Sequence, residues 1–247
     1  MKKLTIFFSD LAGFTETTDR LESEDLTNLI NNYLTEMSRI AMDYGATVDK
    51  YMGDGIMIFF GDPDTLGENT DALQCLKMAL AMREKMLDLA DEWRENGIEN
   101  PMKLRMGIHT GFCTVGNFGS EVRMDYTIIG GSVNTASRLE SAATPGEILI
   151  SFETYSLVKD KIQCVEKGSI EVKGIAYPVA TYQVINSYEN LKRQHEHFHE
   201  THPHYELDLD LDAMTAKERS EAAKLLKKGL GLIQDDKHST SNKSKKR

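Results

Sequence analysis

Two aspartates that each end a strand-like run constrain the fold of this chain most strongly. Asp10 follows the apolar run Leu4–Ser9, and Asp54 lies in a Gly-Asp-Gly turn between two further strand-like runs. If these strands are neighbours in one sheet, the two carboxylates converge on one spot, with no obvious basic partner nearby in the sequence. Carboxylate oxygens are preferred ligands of hard divalent cations such as Mg²⁺, which usually share them with phosphate oxygens. The pattern therefore indicates phosphate chemistry.

Length, composition and charge exclude several classes of protein. The chain has 247 residues, 40% of them hydrophobic, which suits one domain of ordinary size plus appendages. It has no long apolar run and no signal-peptide pattern, so we expect no membrane insertion by this chain. The formal net charge of −10 disfavours binding to nucleic acid. Three cysteines without a CxxC pair predict reduced thiols in a cytoplasmic protein, or in the cytosolic part of a larger membrane-attached one.

Hydrophobic periodicity predicts alternating strands and helices. A helix is expected up to Gly45, then a hairpin that turns through Gly53–Gly55, and then a long helix over residues 69–95. The elements expected after it are strands at 103–109, 112–117 and 125–129, a helix from Gly130 through Glu140, and a strand, a short helix and two strands up to about 184. This order predicts an α/β (α+β) domain with a ferredoxin-like core, in which helices cover a mixed sheet.

The composition changes after residue 186. Residues 194–204 contain five histidines, and residues 205–212 alternate strictly between apolar or aromatic and acidic side chains. We interpret this stretch as a His-rich, acidic linker, with metal binding by the histidines as the alternative. Thr215 to Glu218 has the pattern of a capping box that starts a short amphipathic helix. The expected organisation is a domain over 1–186 and a partly disordered polar tail over 187–247.

A further candidate site is carried by one helix face. Asn134 and Arg138 are four residues apart, which is about 40° around a helix, so both can reach the same ligand. Ser132 is expected to be the N-cap, and the two glycines before it leave the first-turn N–H groups open to an anion. Taken alone, this pattern is also that of an ordinary solvated helix.

Four blocks of sequence together resemble class III nucleotide cyclases, in the order and at the spacings of that family. They are Phe8–Thr15, Lys50–Asp54, Leu104–Gly111 and Gly130–Glu140. The resemblance covers about residues 4–185. It implies a ferredoxin-like α/β domain that works as a homodimer, with active sites in the cleft between the subunits. It further implies an adenylate cyclase that converts ATP into 3′,5′-cyclic AMP and pyrophosphate.

The resemblance assigns the metal and phosphate groups residue by residue. Asp10 and Asp54 correspond to the aspartates that hold two Mg²⁺ or Mn²⁺ ions per site, and Leu11 lies beside them at the metal site. Arg105 and Lys173 match the groups that hold the β- and γ-phosphates. The ions activate the attacking ribose 3′-hydroxyl and neutralise the triphosphate, so no side chain needs to act as a general base.

The remaining roles concern the nucleoside and the α-phosphate. Lys50 matches the position that reads the purine, Asn134 the residue that orients the ribose, and Arg138 the residue that stabilises charge on the α-phosphate. Gly13 and Phe14 complete the substrate-binding set. By the family's geometry, the aspartates and Arg105 come from one subunit and the other matched groups from its partner.

Thr127 departs from the pattern of many adenylate cyclases, which have an aspartate seven residues before Asn134. A threonine hydroxyl also accepts a hydrogen bond from the adenine amino group, although it carries no charge. The Lys50 and Thr127 pair resembles the subgroup of soluble, bicarbonate-responsive cyclases, which makes bicarbonate a candidate regulator. The alternatives are a guanylate cyclase, which Lys50 disfavours, and a catalytically silent nucleotide-sensing dimer. A polymerase or diguanylate cyclase shares the two-metal logic but fits the Asn134 and Arg138 helix less well.

Overall fold

Strand β1 (Lys2–Ala12) lies in the middle of the main sheet of the computed structural model, which describes residues 1–18, 21–172, 177–191, 197–211 and 213–241. Residues 4–9 are all buried, as expected for a strand whose two faces are both covered. Asp10 comes directly after this buried stretch, and it is therefore placed at the edge of the core.

The other elements of the first part of the chain follow the expected alternation. The strands are β2 (Thr47–Met52), β3 (Gly55–Phe60), β4 (Lys103–Ser120), β5 (Arg123–Ile129), β6 (Ile148–Ser151), β7 (Ile162–Ile170) and β8 (Val179–Ser187). The helices include α1 (Phe14–Thr18), α2 (Ser23–Asp43), α3 (Glu68–Glu95), α4 (Gly131–Ala142) and α5 (Phe152–Val158).

The strand order of the main sheet is β2-β3-β1-β4-β6-β8-β7, and β5 pairs with the far end of β4. Strand β1 is antiparallel to both β3 and β4, whereas β4 and β6 are parallel, so the sheet is mixed. The first four strands and helices α2 and α3 follow the ferredoxin-like arrangement. The predicted fold class is confirmed.

The sheet has two differently covered faces. Phe7 and Ile58 belong to the core between the sheet and helices α2 and α3. Phe8 and Met57 belong to a smaller cluster on the opposite face, to which helix α4 contributes Ala136. Because side chains alternate along a strand, Asp10 shares the face of Phe8. We call this second face the α4 face.

Two local features differ from the expectation. The two strands expected around Gly111 form one strand, β4, in which Gly111 pairs regularly with Leu4. A Cβ at Gly111 would lie 2.4 Å from the Ser132 hydroxyl oxygen, so the glycine permits close approach of α4 and does not end the strand. The helix expected before Gly45 is α2, which begins at Ser23, and an additional short helix, α1, precedes it and ends at Thr18.

The chain divides into two compact units, Met1–Tyr188 and Glu189–Arg247. The second unit contains strands β9 (His197–His202) and β10 (Tyr205–Asp210), which form an antiparallel hairpin, and a C-terminal helix, Ala216–Ser241. The hairpin differs from the linker that we expected, because the alternation that we noted after residue 204 has the period of a strand.

The expected capping box begins the C-terminal helix. The Thr215 hydroxyl accepts from the Glu218 backbone N–H at 3.3 Å, and the Glu218 carboxylate accepts from the Thr215 N–H at 2.7 Å. This helix has 26 residues, so it is longer than expected. No helix in the described part of the chain combines the length and hydrophobicity that crossing a membrane requires.

Candidate active site

Asp10 lies directly opposite Arg105 in the antiparallel pair of β1 and β4. The Arg105 Nε donates to Asp10 Oδ1 at 2.9 Å, and its Nη2 donates to Asp10 Oδ2. This bidentate contact raises the pKa of Arg105 above its ordinary value. The first predicted metal ligand and the predicted phosphate-binding arginine are therefore neighbours within one protomer.

Asp54 reaches the same place from the turn between β2 and β3. Its Oδ2 accepts a hydrogen bond from the backbone N–H of Leu11 at 2.9 Å, so it lies beside the residue that follows Asp10. Both carboxylates also raise the pKa of Arg105 through their charge, although Asp10 acts more strongly. The structure thus brings together Asp10, Leu11 and Asp54, as the strand pattern predicted.

Glu140 is a member of this cluster that the sequence reasoning did not identify. Its Oε1 lies 3.6 Å from Arg105 Nε, and only 8% of the residue is exposed. Burial, together with the nearby Asp10 carboxylate, raises the Glu140 pKa to about 7, and Arg105 opposes this effect. The available signal was its position, because an acidic residue here shares the buried side of α4 with Ala136 and Leu139.

Tyr33 of helix α2 lies in the buried core within electrostatic reach of the two aspartates. Its phenol is fully buried, and its pKa is raised chiefly by burial and also by the charges of Asp54 and Asp10, while the Ser9 hydroxyl beside it lowers the pKa. The phenol therefore stays neutral next to the charged cluster.

The donor set fits divalent cations that are shared with a phosphate. Asp10 and Asp54 supply two carboxylates at the ends of neighbouring strands, and Leu11 supplies backbone between them. Mg²⁺ usually binds one or two carboxylates and completes its shell with water and phosphate oxygens. No group of three or more His, Cys, Asp or Glu side chains among the described residues is arranged to hold a metal ion. The two aspartates therefore suit Mg²⁺ or Mn²⁺ that arrives with a nucleotide.

Helix α4 lies unusually close to strand β4 at Gly107. A Cβ at this position would lie 2.0 Å from the backbone N of Glu140 and 2.4 Å from the carbonyl oxygen of Ala136. Only a glycine allows this approach, and the approach brings Glu140 to Arg105.

The predicted pair Asn134 and Arg138 lies on the exposed side of α4. The opposite side of the helix is buried and contains Thr135, Ala136, Leu139 and Glu140. Arg138 and Glu140 are two residues apart and therefore about 200° apart around the helix. Arg138 thus points away from the cluster of Asp10 and Arg105 in its own protomer.

The expected N-cap of α4 is wrong. The cap position is Gly130, which has a φ of 147° and no side chain to accept a bond, and Ser132 lies inside the first turn. The Ser132 hydroxyl instead donates to the carbonyl of Phe112 on β4 at 3.1 Å. The first turn of α4 is therefore held by the neighbouring strand, and its leading N–H groups have no side-chain cap.

The predicted base-reading residues lie on β2 and β5. The Lys50 side chain is 44% exposed, whereas Thr127 is buried at 6% exposure. The Thr127 hydroxyl donates to the carboxylate of Asp49 at 2.6 Å, and the Lys50 Nζ lies 3.9 Å from the same carboxylate. Asp49 is a second functional candidate that the sequence reasoning missed.

The remaining predicted site residues are placed as follows. Gly13 has a φ of 84° and turns the chain from β1 into α1, and Phe14 packs partly buried against the core below α2 and α3. Lys173 lies outside the described residues.

Comparisons with known proteins identify the family to which this domain belongs. The sequence model of the family described as Adenylate and Guanylate cyclase catalytic domain matches residues 1–186. A solved structure of the adenylyl cyclase CyaB from P. aeruginosa is 60% identical, with a TM-score of 0.74 over 75% of this chain and 95% of that chain. The structure of the guanylyl cyclase Cya2 is 33% identical, with a TM-score of 0.71 over 76% of this chain and 94% of that one.

A curated relative from Dictyostelium discoideum, named Adenylate cyclase, terminal-differentiation specific, is 32% identical over 198 residues, which are 78% of this chain. The chain spans 9% to 37% of the lengths of the first curated relatives that it matches. The family match extends over most of the first unit, which contains the aspartates, Arg105 and helix α4. The chain therefore belongs to the class III adenylate and guanylate cyclase catalytic domain family.

Proposed function

We propose that this chain converts ATP into 3′,5′-cyclic AMP and pyrophosphate at sites shared between two copies of the domain. The observation that carries the proposal is the convergence of Asp10 and Asp54 at the ends of β1 and β3, next to an arginine suited to phosphate. A nucleoside triphosphate and its cations require carboxylates for the cations and a bidentate donor for the phosphates, and this cluster contains both.

Asp10 and Asp54 would hold the Mg²⁺ or Mn²⁺ ions, two per site, with Leu11 beside them. Bound there, the ions would supply Lewis-acid activation of the ribose 3′-hydroxyl and charge neutralisation on the triphosphate. Arg105 serves the β- and γ-phosphates, for which it must exchange Asp10 for phosphate oxygens. The chain's own residues thus bind and align the reacting groups, and none of them acts as a general base.

The exposed groups on α4 act on the reacting centre. Asn134 orients the ribose by hydrogen bonds from its amide, and Arg138 stabilises the negative charge that develops on the α-phosphate. Gly13 and Phe14, at the start of α1, complete the phosphate-binding turn. Lys173 is assigned to the terminal phosphates by resemblance alone.

A second copy of the chain is needed because Arg138 points away from Asp10 in its own protomer. Several large apolar side chains on β4 and β5 and in the turns beside them are about half exposed or more, which favours a covered interface. They are Phe112, Val122, Met124, Tyr126 and Ile129. We therefore propose a homodimer in which Asp10, Asp54 and Arg105 of one copy face Lys50, Asn134 and Arg138 of the other.

Lys50 and Thr127 favour ATP over GTP. A lysine donates to the adenine N1, and the Thr127 oxygen accepts from the adenine amino group. The 60% identity to a protein named adenylyl cyclase, against 33% to one named guanylyl cyclase, supports the same choice. We also propose a cytoplasmic location, as a free protein or as the cytosolic part of a larger membrane-attached one, because the ATP that the reaction would consume is available there.

The test is an assay of purified protein with ATP or GTP, each with Mg²⁺ or Mn²⁺, across protein concentration. We expect cyclic AMP formation whose specific activity rises with concentration, and no activity in Asp10→Asn. Asp64→Asn, which changes an exposed aspartate outside the site, is the matched control. Cyclic GMP as the main product would replace the substrate assignment, and nucleotide binding without either product would identify a silent sensor.

Mixing two inactive variants tests whether the site is shared. A dimer of Asp10→Asn with Arg138→Ala holds one intact site, so an equal mixture should recover about a quarter of wild-type activity by random pairing. No recovery after verified mixing would argue that each copy builds its own site. Bicarbonate is tested in the same assay at constant pH, where unchanged activity removes it as a regulator.

A further inference from the structure

The residue before the base-reading lysine occupies a distinct backbone position. On strand β2, Val48 pairs with Ile58 and Lys50 pairs with Met57, so Asp49 is an extra residue that is left out of the ladder. Such a β-bulge re-aims side chains and is common near functional sites. Here it allows Asp49 to turn into the protein beside Lys50, whose side chain stays exposed.

The side chain of Asp49 is almost fully buried, and its carboxylate has two hydrogen-bond donors and a cation nearby. Its side chain is 1% exposed, and its carboxylate accepts from the Thr127 hydroxyl at 2.6 Å. The backbone of Ile128 also hydrogen-bonds to it, and the Lys50 Nζ lies 3.9 Å away. Burial raises the pKa of Asp49, while Thr127, Lys50 and Ile128 lower it and the charge of Asp125 raises it. A buried carboxylate with donors on several sides is a built polar site.

The chemistry of this contact determines what Thr127 can offer to a ligand. An ionised carboxylate has no hydrogen to donate, so the hydroxyl hydrogen of Thr127 must point toward Asp49. The free side of the Thr127 oxygen then carries only lone pairs. A group held in this way accepts hydrogen bonds but has no hydrogen left to donate.

We propose that Asp49 is a positioning residue for base selection, which locks the Thr127 hydroxyl as an acceptor for the 6-amino group of adenine. With guanine or hypoxanthine, the lone pairs of the Thr127 oxygen face the 6-oxo oxygen of the base. Two acceptors then lie opposite each other without a hydrogen between them, which disfavours binding of those bases. Selectivity for adenine, which a neutral threonine alone does not ensure, thus comes from a carboxylate that does not touch the base. This inference rests on the proposed adenylate cyclase function.

The test compares ATP with inosine triphosphate (ITP), which has a 6-oxo group in place of the 6-amino group and an N1–H in place of the bare N1. The N1 difference is read by Lys50 and is the same in wild type and variants, so a change in the ratio between them reports on the 6-position. The variant is Asp49→Asn, which keeps one acceptor oxygen for the backbone of Ile128 and presents its amide N–H to Thr127, so that the hydroxyl hydrogen is free to turn toward the base. We expect the ratio of kcat/KM for ATP to that for ITP to fall about tenfold in this variant, as the loss of one hydrogen-bond preference predicts. Because both substrates are measured on one preparation, partial misfolding cancels from the ratio.

Asp125→Asn is the matched control. It removes the same unit of charge from an exposed residue of β5 that acts on Asp49 only at a distance, so the ratio should stay within twofold of wild type. Thr127→Val should lower the ratio as Asp49→Asn does, and adding Asp49→Asn to Thr127→Val should change it no further. That non-additivity is the signature of a residue that acts through Thr127.

Three results would overturn the inference. An unchanged ratio in Asp49→Asn, even with both rates reduced, would show that Asp49 only ties β2 to β5. If adding Asp49→Asn to Thr127→Val lowers the ATP to ITP ratio by the same factor as in the wild-type protein, Asp49 acts through Lys50 and not through Thr127. A fall in Asp125→Asn as large as that in Asp49→Asn would assign it to charge alone. Wild-type protein that makes no cyclic nucleotide would instead refute the proposed function, and the same ratio would then be taken from equilibrium binding of ATP and ITP.

Discussion

Arg105 and Asp10 face each other across β1 and β4 and are joined by two hydrogen bonds, one of them 2.9 Å long. In the proposed reaction each of these groups has another partner, since Asp10 binds a cation and Arg105 binds phosphate. The ion pair therefore competes with both halves of the metal–nucleotide complex. Binding of the complex replaces this ion pair with a contact from Asp10 to the cation and a contact from Arg105 to the phosphates. Because both new contacts depend on breaking the same ion pair, metal binding and nucleotide binding are coupled.

Replacing Arg105 with glutamine separates these two effects. The variant removes the cation that competes at Asp10, so the affinity for Mn²⁺ without nucleotide should rise by about threefold to tenfold. It also removes a charged donor to the phosphates, so the KM for ATP should rise about tenfold or more. Calorimetric titration with Mn²⁺ and steady-state kinetics measure the two quantities. Arg94→Gln, on an exposed part of α3, should change neither, and lower Mn²⁺ affinity in Arg105→Gln would contradict the competition.

Arg138→Ala should lower kcat by roughly 10²-fold or more with a smaller effect on KM, because its guanidinium acts mainly on charge that develops in the transition state. Steady-state kinetics with ATP and Mn²⁺ test this, and Arg94→Ala is the control. A variant with raised KM and normal kcat would show that Arg138 only binds the ground state.

Gly107→Ala should destabilise the domain because its Cβ would lie 2.0 Å from the backbone N of Glu140. A clash with backbone cannot be relieved by a side-chain rotation, so we expect a loss of about 3 kcal/mol and a Tm lower by roughly 6–12 °C. Gly131→Ala is the matched control, because nothing lies within 4 Å of its added Cβ and the position begins a helix. Equal Tm values for the two variants, by calorimetry, would show that α4 does not depend on contact at Gly107.

The burial of His109 leads us to expect a lower free energy of unfolding at mildly acidic pH. Its Nδ1 lies 2.8 Å from the Ser151 hydroxyl, and burial lowers its pKa, while the Glu153 carboxylate at 3.7 Å acts in the opposite direction. Below pH 6.5 or so, the unfolded chain therefore binds a proton that the folded domain resists, and stability falls by up to about 1.4 kcal/mol per pH unit toward the folded pKa.

Thermal unfolding of His109→Gln from pH 7.5 to 5.0 checks this, since the amide retains a hydrogen-bonding group and does not titrate. The variant should lose less stability on acidification than wild type does. His204→Gln, at an exposed position, should follow the wild-type curve. Parallel curves for His109→Gln and wild type would assign the acid sensitivity to other groups.

The sequence-based predictions succeeded where local pattern determines structure. The run before Asp10 and the Gly-Asp-Gly turn at Asp54 are short-range signals, and both aspartates lie at the predicted strand ends. The predicted N-cap of α4 is wrong because the Ser132 hydroxyl hydrogen-bonds to the carbonyl of Phe112, which is 20 residues earlier in the chain. Gly111 was read as a break although it serves a close approach from α4.

The missed residues Asp49 and Glu140 depend on tertiary context. Asp49 becomes buried only because β2 bulges and β5 supplies Thr127, and no residue near Asp49 in the sequence announces either event. Glu140 left a weak signal, an acid on the apolar side of a helix, but its partner Arg105 lies 35 positions earlier. The roles of Asp49 and Glu140 can be inferred only once the fold shows which distant residues lie beside them.

Helix α4 is fastened to its own sheet by one side and offers Arg138 on the other. In the proposed dimer, a nucleotide that nudges this helix in one cleft would shift the arginine presented to the neighbouring cleft. The two active sites of the dimer would then be coupled, because nucleotide binding at one site would change the position of Arg138 at the other through helix α4.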